Sequence, residues 1–419
     1  MTNELLQVDD AKARILGQME PLSTETVALN DAFDRVLVEA LVADVSLPPF
    51  ANSSMDGFVI RAADVTNASQ DAPVKLKIVG DIPAGRAPSI TLQQGQAARI
   101  MTGAPLPSGA DAVIPVEDTD GQWDDTASLP RHVSVFRTVK SGDYVRPAGE
   151  DVRPGQQVLA AGTVLRPQDL GILAALGQSQ VQVRQRPKVA ILSSGDEIIP
   201  VSAPLSPGKI RDVNTYTLSA LLRSYGAEPI VLPVAPDSID AIRSQFRTAL
   251  EREPDMLISS AGASVGAADF VHTVLQELGE VDFWKINLRP GKPLAFGNLQ
   301  GVPFFGLPGN PVSVMVTFDV IVRPAVLKLA GRPDDWHEIE AQLQEDLRSD
   351  GRRSYIRVML TPLADGWAAS TTGTQSSGAL MSMVRADGLL IVPEGVKEVR
   401  VGENYRVRVL RPELIFGRG

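Results

Sequence analysis

Residues 302–315 read VPFFGLPGNPVSVM, two apolar runs separated by a glycine- and proline-rich corner. The first run has the length and the β-branched and aromatic content of a buried strand. Asn310 suits the N-cap of a helix, and Pro311 suits the first helical position, where a missing N–H costs nothing. The stretch therefore predicts a strand, a stiff loop and a helix N-terminus. Such a corner presents backbone N–H groups to an anion; alternatively, it is a tight turn without a ligand.

The same alternation of strand and helix extends on both sides of this corner. From residue 187 onward, short apolar strands alternate with helices of about 10–15 residues, which is typical of βαβ units and a mostly parallel sheet. Short β runs punctuated by Gly and Pro cover about 73–165, and β patterns return from about 336. With 419 residues, the chain is expected to be multidomain, combining an α/β part with β-rich parts.

Composition excludes several classes of function. The net charge of −10 argues against nucleic acid or an anionic membrane as the main partner. The chain has no cysteine, which excludes disulfides, zinc–thiolate sites, iron–sulfur clusters and cysteine nucleophiles. Its three histidines are far apart in sequence, which disfavours a His-rich metal site or a Ser-His triad. A bound divalent metal is therefore expected to be hard and oxygen-ligated, with Mg²⁺ first.

The N-terminus and the hydropathy pattern predict a cytoplasmic protein. The opening residues MTNELLQVDD are acidic where a signal peptide requires a basic region followed by an apolar core. No charge-free stretch reaches the ~20 residues that a membrane span requires. We therefore expect no membrane association.

Four loops follow predicted strands directly and are rich in Gly, Ser or Pro. They are SSGDE (193–197), SSAGASVG (259–266), RPGKP (289–293) and LPGNP (307–311). In an open α/β sheet, ligands bind outside the carboxyl ends of the strands, so these loops are expected to converge at one edge. That convergence carries more weight than any single loop.

Each loop has a functional and a purely structural interpretation. SSAGASVG has the composition of a phosphate cradle, or is a flexible loop. Arg289 and Lys292, with Lys285 four residues before Arg289, suit phosphate oxygens, or are ordinary surface charge. Asp196 and Glu197 suit Mg²⁺ or acid–base work, or are carboxylates at a helix N-terminus.

Two motifs outside the α/β part are also unusual. Asp56 lies in Met-Asp-Gly, a tight turn that presents a carboxylate, and Thr102 lies in Thr-Gly-Ala-Pro, which presents a hydroxyl. The alternative is that each is only a turn or a β-loop.

Taken together, these stretches closely resemble the molybdopterin molybdenumtransferase family of the MoeA type, which is related to the E domain of gephyrin. Nine stretches in the family's order carry the resemblance and span nearly the whole chain. They are LPPFANSSMDGFVI (47–60), RIMTGAPLPSGADAVIPVED (99–118), VRPAGEDVRPGQ (145–156), ILSSGDEI (191–198), RDVNTYTL (211–218), SSAGASVGAADF (259–270), RPGKPLAFG (289–297), GLPGNPVS (306–313) and SSGALMSM (376–383).

The resemblance implies a four-domain subunit in a homodimer. Residues 1–47 and 146–177 would form a linker domain and 48–145 a β-rich insert. Residues 178–328 would form a three-layer α/β molybdopterin-binding domain, and 329–419 a C-terminal β-barrel. The implied activity inserts molybdenum from molybdate into adenylylated molybdopterin and releases AMP, with Mg²⁺ present. Partners would be adenylylated molybdopterin, molybdate, a second subunit and other proteins of molybdenum cofactor biosynthesis.

Site residues follow by position from this resemblance and from the loop chemistry. The expected catalytic residues are Asp56, Thr102, Asp151, Glu197 and Asp269. The expected substrate-binding residues are Ser264, Gly266, Lys285, Arg289, Lys292, Pro308, Asn310, Pro311, Arg352 and Ser377. Asp56 and Glu197 are the expected metal ligands.

The sequence departs from the family pattern at four positions. Arg289 stands where Lys is usual, Ala261 where Gly is usual, Ser238 where Asp is expected and Asp387 where Asn is common. Two alternatives therefore stay open: a non-catalytic molybdopterin-binding scaffold, and a paralogue with altered metal preference for tungstate.

Overall fold

The structure is a computed structural model that describes residues 5–121, 129–260 and 267–412. The chain forms two compact units. The larger comprises Met1–Val27, Asp34–Val38 and Gln182–Gly419, and the smaller comprises Ala28–Phe33 and Glu39–Val181. No helix of the described residues has both the length and the apolar character needed to cross a bilayer.

Up to residue 184, the described part of the chain contains two α-helices and eleven strands. Helix α1 and strand β1 come first, the elements of the smaller unit follow, and β11 leads into the larger unit. The bounds are α1 (Val8–Gly17), β1 (Thr24–Ala28), β2 (Leu41–Val42), β3 (Asn52–Ser53), β4 (Gly57–Ile60), β5 (Val74–Ile82), β6 (Gln96–Ile100), β7 (Ala112–Pro115), β8 (His132–Val135), β9 (Val145–Arg146), β10 (Gln157–Leu159), α2 (Pro167–Ala175) and β11 (Gln180–Arg184).

The smaller unit is built on a five-stranded sheet in the order β7-β4-β6-β5-β8. Only the β5–β6 pair is parallel; the other neighbours are antiparallel. Phe58 and Ile60 of β4 pack in one apolar cluster and Val59 packs in another. Because successive side chains of a strand point to opposite faces, both faces of this sheet are covered. The pairs β2–β10 and β3–β9 complete the unit.

From residue 188 onward, the larger unit contains the elements of an α/β domain. Their bounds are β12 (Lys188–Ser193), β13 (Ile198–Ile199), β14 (Ile210–Arg211), α3 (Asn214–Ser224), β15 (Glu228–Val231), α4 (Ile239–Leu250), β16 (Met256–Ser260), α5 (Ala267–Leu278), β17 (Gly279–Lys285), β18 (Leu288–Arg289), β19 (Pro293–Leu299), β20 (Val302–Leu307), α6 (Pro311–Thr317) and α7 (Arg323–Leu329).

A six-stranded sheet in the order β15-β12-β16-β20-β19-β17 forms the middle layer of this domain. The first four strands are mutually parallel, and β19 is antiparallel to both of its neighbours. Val189 and Ile191 pack with α3 and α6 on one face, while Ala190 and Leu192 pack with α4 and α5 on the other. The predicted three-layer α/β domain with a mostly parallel sheet is confirmed.

The C-terminal part of the larger unit is a closed barrel. Five strands pair in the ring β23-β24-β21-β27-β25-β23, and the short strand β18 adds to β23 in parallel. This confirms the predicted C-terminal β-barrel. The bounds are β21 (Glu338–Leu343), β22 (Leu347–Arg348), β23 (Arg353–Pro362), β24 (Trp367–Thr371), α8 (Leu380–Val384), β25 (Gly388–Val392), β26 (Glu398–Val399) and β27 (Asn404–Val409).

The predicted helix after the LPGNP corner contains a π-helical turn at Phe318–Val322 between α6 and α7. Asp319 in this turn is only 4% exposed. Burial raises the pKa of Asp319 to about 6, although the positive charges of Arg408 and Arg323 oppose that shift. Both guanidinium groups lie close to the Trp336 ring, 3.9 Å (Arg323) and 4.1 Å (Arg408) from its centroid. Ionisation of Asp319 is therefore less favourable in the folded protein than in the unfolded chain.

We expect Asp319→Asn to raise the free energy of unfolding at pH 8 by about 1–3 kcal/mol. The folded-state pKa of about 6 exceeds the unfolded value of 3.8, so the folded protein binds more protons between these values. Stability from this group is therefore fully present below about pH 4 and is lost as the pH rises through 6. Urea denaturation at pH 4.5 and pH 8 measures the difference, with Asp365→Asn as an exposed control. A destabilised Asp319→Asn variant at pH 8 would contradict the prediction.

Candidate functional site

A cavity of about 1080 Å³ lies in the larger unit, at the carboxyl ends of the parallel strands. Three of the four predicted loops contribute residues to its wall: SSGDE, RPGKP and LPGNP. The opposite wall comes from the barrel segments 347–357 and 375–377. The fourth loop, SSAGASVG, lies largely outside the described residues. The volume suits a large substrate, since pockets for drug-sized ligands are about 300–1,000 Å³.

Strand direction explains why the three loops meet. β12 and β20 flank β16 in parallel register, so their carboxyl ends stop at the same edge of the sheet. β19 runs antiparallel to β20, so the RPGKP loop before β19 arrives at that edge as well. The pairing of β18 with β23 then brings the barrel wall beside the RPGKP loop.

The LPGNP corner is fixed from two sides. Asn214, the first residue of α3, donates from Nδ2 to the Gly309 carbonyl at 2.8 Å. Asn310 is the N-cap residue of α6, as predicted, but its side chain makes no capping hydrogen bond. Instead, the Val312 N–H donates to the Ser377 carbonyl at 3.1 Å. The barrel segment therefore satisfies part of the helix N-terminus that we expected to face an anion.

We expect Pro308→Ala or Pro311→Ala to lower the molybdenum insertion that the family resemblance implies at least about tenfold, equivalent to ~1.4 kcal/mol of lost positioning. The melting temperature should stay within a few degrees of the parent, because loosening a compatible proline costs about 0.4–1 kcal/mol. Pro362→Ala, at the exposed end of β23, is the matched control. Full activity with a lowered melting temperature would make the corner a turn without a functional role.

Positive charge dominates the cavity wall. Among the described residues, seven cationic side chains and three carboxylates line it. The cations are Lys209, Arg211, Arg289, Lys292, Arg348, Arg352 and Arg357, and the carboxylates are Glu197, Asp212 and Asp237. An anionic ligand is therefore favoured in spite of the chain's negative net charge.

Arg357 on β23 is the most deeply buried of these cations, with 2% of its surface exposed. Its Nε donates to Ser382 Oγ and one Nη to the Ser376 carbonyl, both at 3.2 Å. Burial and the nearby charge of Arg289 lower the pKa of Arg357 to about 10, so it stays charged at neutral pH. It forms no ion pair with any carboxylate of the described chain. A fixed cation without a counter-ion suits a substrate anion.

Two carboxylates follow neighbouring strands of the sheet: Asp196 comes after β12, and Asp237 comes after β15. Asp196 and Asp237 each accept a hydrogen bond from the other's backbone N–H, at 3.2 and 3.4 Å. Asp237 Oδ1 is buried without a partner among the described residues. Glu197 is exposed at the cavity edge, and β13 rather than a helix follows it. The alternative that Asp196 and Glu197 serve a helix N-terminus is therefore wrong.

In the smaller unit, the MDG turn and the TGAP loop meet. Asp56 Oδ1 accepts from the Thr102 N–H at 2.7 Å and from Thr102 Oγ1 at 2.9 Å. Both residues are exposed, so the second carboxylate oxygen remains available to solvent or a ligand. Asp151 is exposed in the same unit.

Comparison with known proteins identifies the family models and relatives that the chain matches. Three family models match it in order: the MoeA N-terminal region (domains I and II) over residues 6–177, the probable molybdopterin binding domain over 190–328, and the MoeA C-terminal region (domain IV) over 340–410. Molybdopterin molybdenumtransferase of Haemophilus influenzae is 38% identical over 96% of this chain and 98% of its own length. The chain belongs to the MoeA family.

Further relatives agree. Molybdopterin molybdenumtransferase of Nostoc sp. is 38% identical over 92% of this chain and 88% of its own length. A solved structure of the molybdopterin biosynthesis MoeA protein from Pyrococcus horikosii has a TM-score of 0.78 and 32% identity, covering 97% of this chain and 99% of that one. In this MoeA-family chain, the cavity is formed by the segments that match the molybdopterin-binding and C-terminal models.

The structure brings eight of the expected site residues together. Glu197, Arg289, Lys292, Pro308, Asn310, Pro311, Arg352 and Ser377 line the cavity. Lys285 is exposed on β17 and is not among the lining residues. Asp269 lies in α5, but its side chain is outside the described part of the structure, as are Ser264, Gly266 and Ala261. Asp56 and Thr102 contact each other in the smaller unit.

Three charged residues that line the cavity were not among the predicted site residues: Lys209, Asp237 and Arg357. Lys209 donates to the Asp196 carbonyl at 2.5 Å and belongs to the segment just before α3. Arg357 interrupts the apolar run YIRVML of a barrel strand, and a charge inside a buried strand is a usable signal. Asp237 stands beside Ser238, whose side chain caps α4 by accepting from the Ala241 N–H.

Proposed function

We propose that this MoeA-family chain is a transferase that inserts molybdenum from molybdate into adenylylated molybdopterin and releases AMP. The observation that carries the proposal is the large, cation-lined cavity between the molybdopterin-binding domain and the barrel. Both substrates are anions, and the adenylylated pterin is large. The names of the relatives favour a transferase over a non-catalytic scaffold.

The chain's own residues would divide the work as follows. Arg289, Lys292 and Arg352 would bind the phosphate oxygens and orient the linkage between AMP and the pterin phosphate, because guanidinium and ammonium groups suit these oxygens. Glu197 at the cavity edge would hold or move a proton at the reacting phosphate. No cysteine is needed, because the substrate supplies both sulfurs.

The carboxylates fit the Mg²⁺ that the family resemblance implies. Asp237 Oδ1 is buried without a described partner, and Glu197 lies on the same cavity wall. No cluster of three or more metal-ligating side chains occurs among the described residues. Mg²⁺ often takes only one or two carboxylates together with substrate phosphates, so two suffice. When bound there, Mg²⁺ would neutralise charge on the departing phosphate. Asp56 stays a predicted ligand.

The decisive test is incubation of the protein with adenylylated molybdopterin, molybdate and Mg²⁺, followed by chromatography for AMP. AMP release that depends on molybdate would support the function, and no release would refute it. A parallel reaction with tungstate decides the metal preference.

The proposed location is the cytoplasm. The protein that delivers the pterin is proposed to be another protein of molybdenum cofactor biosynthesis.

We also propose a homodimer, because the family resemblance implies a cleft completed by a second subunit. Asp56, Thr102 and Asp151 would then contribute from the smaller unit. Light scattering should give twice the 44.8 kDa mass of one chain. A stable and fully active monomer would contradict this proposal.

A further inference from the structure

A single carboxylate outside the cavity contacts two of its arginines. Asp350 Oδ2 accepts from Arg352 Nη2 at 2.5 Å and from Arg352 Nε at 3.0 Å. The same oxygen lies 3.7 Å from Arg289 Nη1. Asp350 does not line the cavity, whereas both arginines do. The carboxylate therefore reaches any ligand only through the two guanidinium groups.

The remaining contacts fix the orientation of this pair. Arg352 Nη1 donates to the Leu288 carbonyl at 3.0 Å, so all three nitrogens of this guanidinium are held. Arg289 follows Leu288 on β18, which pairs with β23 just after Arg352. Burial raises the pKa of Asp350, but the hydrogen bonds from Arg352 and the charge of Arg289 outweigh it and leave the pKa below its ordinary value. Asp350 is therefore ionised whenever the site works.

Arg289 supplies the second guanidinium of the pair. A guanidinium offers several donors in a planar fork, whereas an ammonium is a compact point charge. The fork can face Asp350 with one nitrogen and the cavity with another. Arg289, Arg352 and Asp350 thus form one charged arrangement in this chain.

We propose that Asp350 is a positioning residue that holds Arg289 and Arg352 side by side as a clamp for a tetrahedral oxyanion. The inference rests on the proposed function for its reaction, but not for its binding chemistry. The oxyanion is either molybdate or a phosphate group of the nucleotide substrate. Asp350 cancels part of the clamp's positive charge, so it weakens ground-state binding of the anion while it fixes the geometry needed for reaction.

The test compares Asp350→Asn with the parent chain in two assays. In calorimetric titrations at low salt, the affinity for molybdate or for inorganic phosphate should rise about threefold to tenfold, because one opposing charge is removed. The anion whose affinity changes identifies whether the clamp binds molybdate or a phosphate group. In the AMP-release assay, kcat should fall about tenfold because the two arginines lose their alignment. Tighter binding with slower turnover is a combination that general loss of structure does not produce.

Two comparisons make the result decisive. Asp365→Asn makes the same charge change at an exposed barrel residue and should leave both assays unchanged. In a chain carrying Arg289→Lys, Asp350→Asn should change kcat by less than about threefold, since the fork is gone. Unchanged affinities and kcat, or an equal effect in both backgrounds, would overturn the inference. If the parent releases no AMP, the proposed function fails while the titrations still decide the role of Asp350.

Discussion

Replacing Arg357 by methionine should reduce molybdenum insertion at least about a hundredfold, or ~2.7 kcal/mol, without lowering the melting temperature. The Arg357 guanidinium is buried at the cavity wall and bonds only neutral oxygens, those of Ser382 and Ser376. A buried charge without a counter-ion does not favour folding, and an apolar side chain of similar length removes that penalty. The loss should therefore appear in function, where the fixed cation meets the substrate anion.

The measurement pairs AMP release with thermal unfolding of the same variants. Arg357→Lys keeps the charge but not both hydrogen bonds, so its activity should lie between those of the parent and the methionine variant. Arg385→Met removes an exposed arginine from the neighbouring helix end and serves as the control. If the methionine variant melts several degrees lower and its loss of activity matches its loss of folded protein, Arg357 is a structural residue.

Glu197→Gln should lower AMP release by about 10²–10⁴-fold, the range for loss of an acid–base group. Glutamine keeps the size of the side chain and removes its charge. Because Glu197 is exposed at the cavity edge, the melting temperature should not change. Binding of adenylylated molybdopterin should also persist, since the cationic wall is untouched.

A second variant tests whether the position of Glu197 matters. A Cβ atom at the buried Gly195 would lie 2.8 Å from Glu197 Oε2, so Gly195→Ala should displace the carboxylate and lower the rate as well. Glu251→Gln, at the exposed end of α4, is the matched control. Normal AMP release by Glu197→Gln would remove Glu197 from the reaction.

The sequence was sufficient for the sheet and for the edge where ligands bind. Apolar runs such as VAIL (189–192) have no polar alternation because helices cover both faces of the strand. Chain direction alone then predicts that SSGDE and LPGNP meet. These inferences are local, so they hold without knowledge of the distant parts of the chain.

The rest of the site depends on long-range contacts that no local pattern contains. Arg357 lies on the barrel strand β23 and Asp350 just before it, and the pairing of β23 with β18 brings this part of the barrel beside the RPGKP loop. Lys285 looked equivalent to Arg289 from its spacing, yet it stays exposed on β17, whose register shifts between Phe283 and Lys285. The side chain of Asn310 makes no capping bond because the Ser377 carbonyl supplies an acceptor from the barrel.

The pairing of β18 with β23 has a consequence for how the chain can be divided. The apolar cluster on one face of the α/β sheet also contains Tyr355, Leu389 and Ile391 of the barrel. A fragment that ends before residue 338 would keep every strand of the sheet but expose this cluster and lose the barrel side of the cavity wall. A transplanted barrel without β18 would leave Arg353 and Ser354 at the start of β23 without their pairing partner. The two sides of the cavity are therefore inseparable as folding modules, and a chimera must carry the α/β domain and the barrel together.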